Sequence, residues 1–440
     1  MTARFAWYLI AVLSLVTLEA SADDWPQYRG PNRNAISNEK GLRASWPPEG
    51  PPLLWTFTSA GIGYAGPAVV GDRLFLSGGR GDAEFVFALD LKNVADRTPK
   101  ELWSVRIGPL FTWKGNNWNA GPNVTPTVDG ELLYALGGGG DLVCVETASG
   151  KERWRKSLPR DLGGEVNPIG GGAADPTPLG WGYAGAPLAD GDKLICAVGG
   201  RSGLLAALDK NTGKLLWQSK EVTDQTSYSS PLAANFHGVH QYVQLTNRGL
   251  AGIAAKDGKL LWRYDRDPAY ADVVIPTPVV HDNYLFLTAG FGEGCDLVKV
   301  AAHGARLQAE RVYANKQMVN RDGGVVLVGG RIYGHSEAGG WTCLDFQTGD
   351  VVWSEKRKLG RGSLVYADGR FYCLDEKDGN VVLLEASPKN WIERGRFQLP
   401  QASKLRRPSG GIWTHPVIAN GRLYLRDQEL LYCYDVRAKE

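Results

Sequence analysis

The most informative absences in this 440-residue chain are those of catalytic and cofactor signatures. No two of its six cysteines are adjacent, and no C-x-x-C-H, G-x-S-x-G or H-E-x-x-H motif occurs. The glycines at 137–140 precede a strand-like run instead of a helix, so they do not form a phosphate-binding loop. His237 and His240 have no third ligand at a metal-binding spacing, and we interpret them as a surface pair and predict no metal site.

Neither the charge nor the hydropathy of the chain points to nucleic acid or to a lipid bilayer. The 49 Lys and Arg residues nearly balance the 47 Asp and Glu residues, which leaves a net charge of +2. Beyond the N-terminus no segment approaches the ~18–20 apolar residues that span a bilayer. We therefore expect no nucleic-acid partner, no membrane span and a monomeric protein.

The first 22 residues have the pattern of a signal peptide. Arg4 supplies the positive end, an apolar run follows, and Ala20-Ser21-Ala22 is an A-x-A cleavage site. No cysteine lies near that site, so lipid attachment is not expected. The sequence predicts a periplasmic or secreted protein, with a retained membrane anchor as the alternative.

Short strands joined by turns recur through the rest of the chain. Each copy has a short apolar strand, a turn rich in Gly, Asp or Asn, and a second strand of β-branched and aromatic residues. The dipeptides Asp129-Gly130 and Asn420-Gly421 are two-residue hairpin signals, because both turn positions need a positive φ. The copies begin near positions 66, 125, 185, 229, 277, 323, 362 and 415.

Two more strands follow each hairpin, so the repeating unit is four antiparallel strands. Units of about 40–60 residues with this pattern predict an all-β fold, an eight-bladed β-propeller. The last copy supplies only three strands, whereas an unmatched strand at 53–57 precedes the first copy. We expect this strand to complete the last blade and close the ring, which removes an exposed sheet edge.

The domain organisation follows from these boundaries. Residues 1–22 are the predicted signal peptide, and residues 23–52, rich in Pro, Gly and Asn, are expected to form an extended arm lying on the propeller. Residues 53–440 are expected to form the propeller itself, with no further domain boundary.

An eleven-residue pattern recurs at the third and fourth strands of the units: a small residue, an acid two positions later, then Gly and Trp at intervals of four. Three copies keep the strict spacing: Cys144, Glu146, Gly150 and Trp154; Ala207, Asp209, Gly213 and Trp217; Cys343, Asp345, Gly349 and Trp353. We expect the glycine to provide a positive φ, the acid to accept turn N–H groups, and the small residue to make room for a neighbouring blade's Trp.

The same motif explains part of the cysteine content. Cys144 and Cys343 occupy the small-residue position, and Cys433 lies in a similar context. Export permits disulfides, but an even number of cysteines does not establish them. We expect buried free thiols at these three positions.

This motif resembles the tryptophan-docking repeat of PQQ-like propellers, the quinoprotein alcohol dehydrogenase-like family, and the resemblance extends from about residue 53 to the C-terminus. Within that family the chain resembles the periplasmic assembly-factor propellers of outer-membrane protein insertion more than the full-length dehydrogenases. The assembly factors have eight blades and no cofactor, so the resemblance implies a non-catalytic binding scaffold of the cell envelope.

The alternative that the family offers is a quinone-dependent oxidoreductase acting on alcohols or sugars. Such enzymes hold pyrroloquinoline quinone (PQQ) on the axis between a Trp and a disulfide of adjacent cysteines, with Ca²⁺ bound by Glu, Asn and Asp. This chain lacks the adjacent cysteines, and its residues give no calcium ligands or catalytic base by position. We therefore predict no catalytic residues and no cofactor, with PQQ and Ca²⁺ as the alternative.

Binding residues are expected on one face of the ring. The turns within the hairpins lie on one face, here the turn face, and the connections between blades lie on the opposite face, the loop face, where the long irregular segments occur. Aromatic and polar side chains there would suit an envelope protein, a flat small molecule or a carbohydrate, or would only plug the channel and fix the loops. The candidates are Trp113, Trp118, Asn119, Trp181, Tyr183, Tyr228, Arg248, His335, Trp341, Trp413 and His415.

Deletion of residues 52–58 tests the predicted closure. The truncated ring would expose the edge of the last blade and leave its apolar face uncovered, so we expect the melting temperature to fall on the order of 10 °C or more. Calorimetry of the full-length and truncated proteins measures this, and equal melting temperatures would contradict the closure.

Overall fold

The computed structural model describes residues 24–438, apart from 93, 95–97, 113–115, 119, 168–179, 270–272 and 305. The predicted signal peptide and the candidates Trp113 and Asn119 lie outside the described residues. None of the helical segments in the described part of the chain is long and apolar enough to cross a membrane.

The described residues form eight sheets, each with a blade of four antiparallel strands, and β1 is added to one of them as a fifth, parallel strand. This confirms the predicted eight-bladed propeller. Strands are numbered along the chain, and β1(Ile36–Ser37) and β2(Leu53–Phe57) precede the first blade. Blades one to four comprise β3(Ala68–Val70), β4(Arg73–Arg80), β5(Ala83–Asp90), β6(Lys100–Pro109); β7(Thr127–Asp129), β8(Leu132–Leu136), β9(Asp141–Glu146), β10(Glu152–Ser157); β11(Leu188–Asp190), β12(Lys193–Ala197), β13(Leu205–Asp209), β14(Leu215–Gln218); β15(Leu232–Phe236), β16(Val239–Thr246), β17(Gly249–Ala254), β18(Leu260–Asp265).

The remaining blades follow the same order, with the first strand of each on the ring axis. They comprise β19(Val279–His281), β20(Tyr284–Ala289), β21(Gly294–His303), β22(Arg306–Asn315); β23(Val325–Val328), β24(Arg331–Ser336), β25(Gly340–Asp345), β26(Val351–Glu355); β27(Gly362–Ala367), β28(Arg370–Asp375), β29(Asn380–Glu385), β30(Glu393–Gln398); β31(Val417–Ala419), β32(Arg422–Asp427), β33(Leu430–Asp435). One short helix, α1(Leu158–Leu162), follows blade two.

The N-terminal strand closes the ring as the sequence predicted. β2 pairs antiparallel with β33, with Trp55 opposite Cys433 and Phe57 opposite Leu431. Trp55 is buried and its ring lies 6.1 Å from that of Tyr424. The two ends of the propeller are therefore joined within one sheet, which leaves no blade with a missing outer strand.

Tryptophans of the fourth strands join one blade to the next. An ideal Cβ built on Gly150 would lie 2.7 Å from the Trp103 ring, and one on Gly213 would lie 2.7 Å from the Trp154 ring. The indole Nε1 of Trp154 donates to the Lys210 carbonyl oxygen of blade three at 3.0 Å. Each ring thus packs flat against the glycine of the following blade, where no side chain would fit.

The small residue of the motif has a different neighbour from the one expected. Ala207 pairs with Trp217 of its own blade, and Cys144 pairs with Trp154 in the same way. It is the glycine that receives the Trp of the preceding blade, because both its positive φ and its lack of a Cβ are needed there.

The acid of the motif stabilises the turn that the glycine completes. The Asp209 carboxylate accepts hydrogen bonds from the N–H groups of Asn211 and Thr212 at 3.1 and 2.8 Å. Asp345 accepts the equivalent pair, whereas the longer Glu146 accepts from the Ser149 hydroxyl and the Arg153 guanidinium. All six cysteines are buried and free, including the three at which free thiols were expected.

The N-terminal arm enters the channel of the ring instead of lying only on its surface. Asp24 is fixed at the turn face, where its carboxylate accepts from the Gly71 N–H at 2.8 Å. The arm returns to that face at β1, which pairs parallel with β27 through Ile36 and Ser37. Between these two points the chain rises into the channel and reverses, so residues 24–37 form a U-shaped plug.

Arg33 holds the top of this plug to the inner ends of blades three and four. Its guanidinium donates to the carbonyl oxygens of Ala186 at 2.9 Å and Pro231 at 3.0 Å, and also to that of Pro187. The side chain is 3% exposed, and burial lowers its pKa to about 9. Backbone carbonyls of two blades therefore solvate a buried cation, which ties the arm to the ring.

Gly213→Ala tests the docking of tryptophan on glycine. The new methyl group would add a collision with Trp154 to the strain of a left-handed backbone, so we expect the free energy of unfolding to fall by about 2–4 kcal/mol. Gly191→Ala is the matched control, because Gly191 also has a positive φ but nothing lies within 4 Å of its ideal Cβ. That variant should lose about 1 kcal/mol.

Chemical denaturation of both variants, with and without Trp154→Ala, separates the two contributions. In the Trp154→Ala background, Gly213→Ala should cost no more than Gly191→Ala does. An undiminished penalty in that background would contradict the docking contact.

Candidate functional site

A pocket of about 510 Å³ opens on the loop face at the centre of the ring. Its walls come from the connections that lead into the inner strands of the blades, so residues far apart in sequence meet on the axis. These connections are the least repetitive parts of the chain, and the pocket therefore has no symmetry. Its closed end is made by the arm.

The floor of the pocket consists of Tyr28, Arg29 and other residues of the U-shaped plug. Arg29 is 2% exposed, and one of its terminal nitrogens, Nη2, donates to the Val325 carbonyl oxygen at 2.5 Å. The Tyr28 ring lies 5.6 Å from the imidazole of His415. The arm thus converts an open channel into a pocket with one mouth.

Two aromatic pairs form much of the wall. The rings of Tyr64 and Trp413 are 4.8 Å apart and tilted by 41°. Those of Trp118 and Trp181 are 4.7 Å apart and nearly perpendicular. All four side chains are only partly buried. Their exposed surfaces give the pocket broad apolar faces.

A network of charges holds Trp413 in place. The indole Nε1 of Trp413 donates to Glu376 at 3.1 Å, and the same carboxylate is bound by Arg361. Next to them Arg321 donates to Glu337 at 2.7 Å and lies 4.3 Å from the centre of the Phe291 ring. The wall is therefore positioned by ion pairs, one of which includes the lining residue Arg321.

Asp322 brings a carboxyl group to this wall. Desolvation by burial, followed by repulsion from Glu376, raises its pKa to about 7, although Arg361 and Arg321 oppose the shift. Within the described structure the carboxyl oxygens have no hydrogen-bond donor, and the residue is partly exposed. Asp322 thus lines the pocket, and its carboxyl changes charge near neutral pH.

His415 and Arg29 contribute polar atoms at the closed end. The His415 Nε2 lies 3.0 Å from the Asp322 carbonyl oxygen, to which it donates, and burial lowers the pKa of the ring to about 4. His415 is therefore neutral at physiological pH. Its Nδ1 and the Nη1 of Arg29 are buried without a hydrogen-bond partner in the described structure.

The structure brings five of the eleven predicted site residues to the pocket. They are Trp118, Trp181, Tyr228, Trp413 and His415. Tyr228 lies behind Trp181, and its hydroxyl accepts a hydrogen bond from the Trp181 backbone N–H at 3.0 Å. The sequence identified these residues because they lie in loops just before the inner strand of a blade.

Four other candidates lie away from the pocket. Tyr183 is buried between blades two and three, and Trp341 is buried in β25, where its Nε1 donates to the Gly360 carbonyl oxygen at 2.9 Å. His335 lies in β24 beside Trp341, and burial lowers its pKa to about 4. Arg248 is exposed in a turn of blade four, 3.8 Å from Asp224.

Sequence reasoning missed the arm residues and the acid of the wall. Tyr28 and Arg29 precede all the repeats, and the arm was expected on the surface of the ring. Asp322 and Tyr64 lie just before inner strands, so the signal that found Trp413 was present for them too. Nothing in the sequence distinguished Asp322 from other loop carboxylates.

The described pocket does not fit a calcium-bound PQQ. Among the described residues, no group of three or more His, Cys, Asp or Glu side chains could hold a metal ion. The six cysteines are buried in the sheets, and none lines the pocket. Asp322 is the single carboxylate among the described lining residues, whereas the cofactor site of the dehydrogenases uses several oxygen ligands.

Asp322→Asn tests the raised pKa. The pKa of Asp322 is higher in the folded state than in the unfolded state, so protonation of this carboxyl stabilises the fold. That contribution to the free energy of unfolding is complete below about pH 4 and is lost as the pH rises towards 7. Relative to Asp322→Asn, the natural protein should therefore lose about 4 kcal/mol of unfolding free energy between pH 4 and pH 8.

Denaturation at a series of pH values measures the difference between the two proteins. Asp378→Asn is the matched control, since it makes the same charge change at an exposed position. Parallel pH profiles for the natural protein and Asp322→Asn would contradict the raised pKa.

Comparisons with known proteins agree with this architecture. The chain is 22% identical over 363 residues to the outer membrane protein assembly factor BamB of Shewanella oneidensis, covering 74% of this chain and 86% of that protein. It is 23% identical over 340 residues to the BamB of Yersinia pestis, covering 76% and 77% of the two chains.

Solved structures show the same fold at low sequence identity. BamB from Moraxella catarrhalis superposes with a TM-score of 0.58 at 14% identity, over 88% of this chain and 98% of that one. The quinohemoprotein alcohol dehydrogenase of Comamonas testosteroni gives a TM-score of 0.58 at 12% identity, over 95% and 81%. The family model described as outer membrane protein assembly factor BamB matches residues 88–355, and the chain belongs to this family of PQQ-like propellers.

Proposed function

We propose that this chain is an exported, non-catalytic scaffold that binds other proteins of the cell envelope during assembly of the outer membrane. The observation that carries the proposal is the family match over residues 88–355. The relatives from Shewanella oneidensis and Yersinia pestis are outer membrane protein assembly factors. The signal-peptide pattern of residues 1–22 supports a periplasmic location.

The geometry supports the loop face as the protein-binding surface. The turn face repeats a similar structure in every blade, because the docking motif and the hairpin turns lie there. The loop face carries non-repetitive connections, and one of them exposes 49% of Leu405. A surface that varies from blade to blade can recognise one partner in one orientation, which a repeated surface cannot do as well.

A photocrosslinking experiment in the source organism tests this assignment. A photoreactive residue replaces Asn117, which is exposed on the loop face, or Lys151, which is exposed on the turn face. We expect the variant at position 117 to form a crosslink that contains a protein of the outer-membrane assembly machinery, identified by mass spectrometry. The variant at position 151 serves as the matched control.

Loss of the gene provides the second readout. We expect the amount of folded outer-membrane protein to fall when the gene is deleted and to recover when it is restored. Crosslinks to that machinery from position 151 alone would move the binding surface to the other face. Unchanged outer-membrane protein, together with no such crosslink from either position, would overturn the proposed function.

A further inference from the structure

We propose that the axial pocket binds a short neutral carbohydrate, of one or two sugar units. This inference goes beyond the proposed scaffold function, because it concerns a small ligand at the centre of the loop face. It rests on four features of the pocket: its size, its aromatic faces, its charge balance and its polar atoms without partners.

The pocket has the dimensions of a small-molecule site. Its volume of about 510 Å³ falls within the range of about 300–1,000 Å³ that such sites occupy. The arm closes its lower end, so a ligand enters only from the loop face. This volume is large enough for a disaccharide.

The aromatic walls suit a ligand with flat apolar faces. The side chains of Tyr64, Trp118, Trp181 and Trp413 are held against one another, yet each stays partly exposed to the pocket. Aromatics that only filled the channel would bury both faces of their rings against protein atoms. A sugar ring offers C–H groups on its faces, which pack on such apolar surfaces, while its hydroxyls point outward.

The charges around the pocket balance, which favours a neutral ligand. The pocket and its wall contain three acidic and three basic side chains. The acids are Asp322, Glu337 and Glu376, and the bases are Arg321, Arg361 and, in the floor, Arg29. A ligand with several carboxylates would find too few free cations, since Arg321 and Arg361 are bound by Glu337 and Glu376. A cationic amine would meet Arg29 at the closed end.

The pocket contains both hydrogen-bond donors and hydrogen-bond acceptors, and a sugar hydroxyl group can pair with either. Asp322 lines the pocket, and its carboxyl has no donor in the described structure, so it can accept hydrogen bonds from hydroxyls of a ligand. At the closed end the Arg29 Nη1 is a donor and the His415 Nδ1 an acceptor, and neither has a hydrogen-bond partner among the described residues. A buried polar group left unpaired costs about 1–3 kcal/mol, and small side-chain shifts would let sugar hydroxyls pair with these atoms.

Titration calorimetry on the purified chain at pH 7.5 tests the proposal. The probes are the neutral disaccharides cellobiose, maltose and N,N′-diacetylchitobiose, with choline as a cation and PQQ as an anion. We expect saturable binding of at least one disaccharide and of neither charged probe. Trp413→Ala and Asp322→Ala should each weaken that binding about tenfold or more.

Two controls separate binding from folding. Arg248→Ala changes an exposed loop-face residue outside the pocket and should alter the affinity by less than about twofold. Asp322→Ala removes a carboxyl whose pKa burial raises, so it should stay folded at pH 7.5, which a melting curve checks. A variant that loses the disaccharide while melting as high as the natural protein identifies a binding role.

Three results would overturn the carbohydrate site. They are saturable binding of choline or PQQ without any of the disaccharides, no disaccharide binding at concentrations up to about 10 mM, and disaccharide binding that both pocket variants leave unchanged. None of these results bears on the crosslinks from position 117. The carbohydrate site and the scaffold function can therefore fail separately.

Discussion

The structure depends on how the axis of an eight-bladed ring is filled. Eight radial sheets leave a central channel, and the inner strand of each sheet presents an edge of backbone N–H and C=O groups to it. Such groups need partners when they are removed from water. The arm supplies them: it pairs Trp25 with Val69 in blade one and β1 with β27 in blade seven, and Arg33 binds carbonyls of blades three and four.

The pocket is a consequence of this plug. The arm reverses inside the channel at a run of residues with positive φ, among them Arg29, Gly30 and Arg33. Because it turns back towards the turn face, it fills only one end of the channel. The other end stays open to the loop face, where non-repetitive segments of the blades converge. The arm enters the channel because the backbone groups of the inner strands need hydrogen-bond partners. The same arm residues form the floor of the axial pocket.

Structural features that repeat along the chain could be predicted from the sequence more completely than features that occur once. The spacing in Asp209, Gly213 and Trp217 occurs three times in strict form, so it predicted the blades and the turns that join their strands. Blade five has lost the motif tryptophan, yet Tyr313 packs on Gly349 of blade six and donates its hydroxyl to the Phe346 carbonyl oxygen at 2.9 Å. Packing can thus retain a contact whose sequence pattern has disappeared.

The sequence by itself determined the strand order, the number of blades and the closure by Leu53–Phe57, because these follow from local periodicity and turn chemistry. Only the tertiary structure decided that the arm lies in the channel and that Arg29, Asp322 and Trp413 meet around one pocket. These contacts join segments hundreds of residues apart through connections that do not repeat. Local propensity carries no information about such distances, and only closure of the ring brings these side chains together.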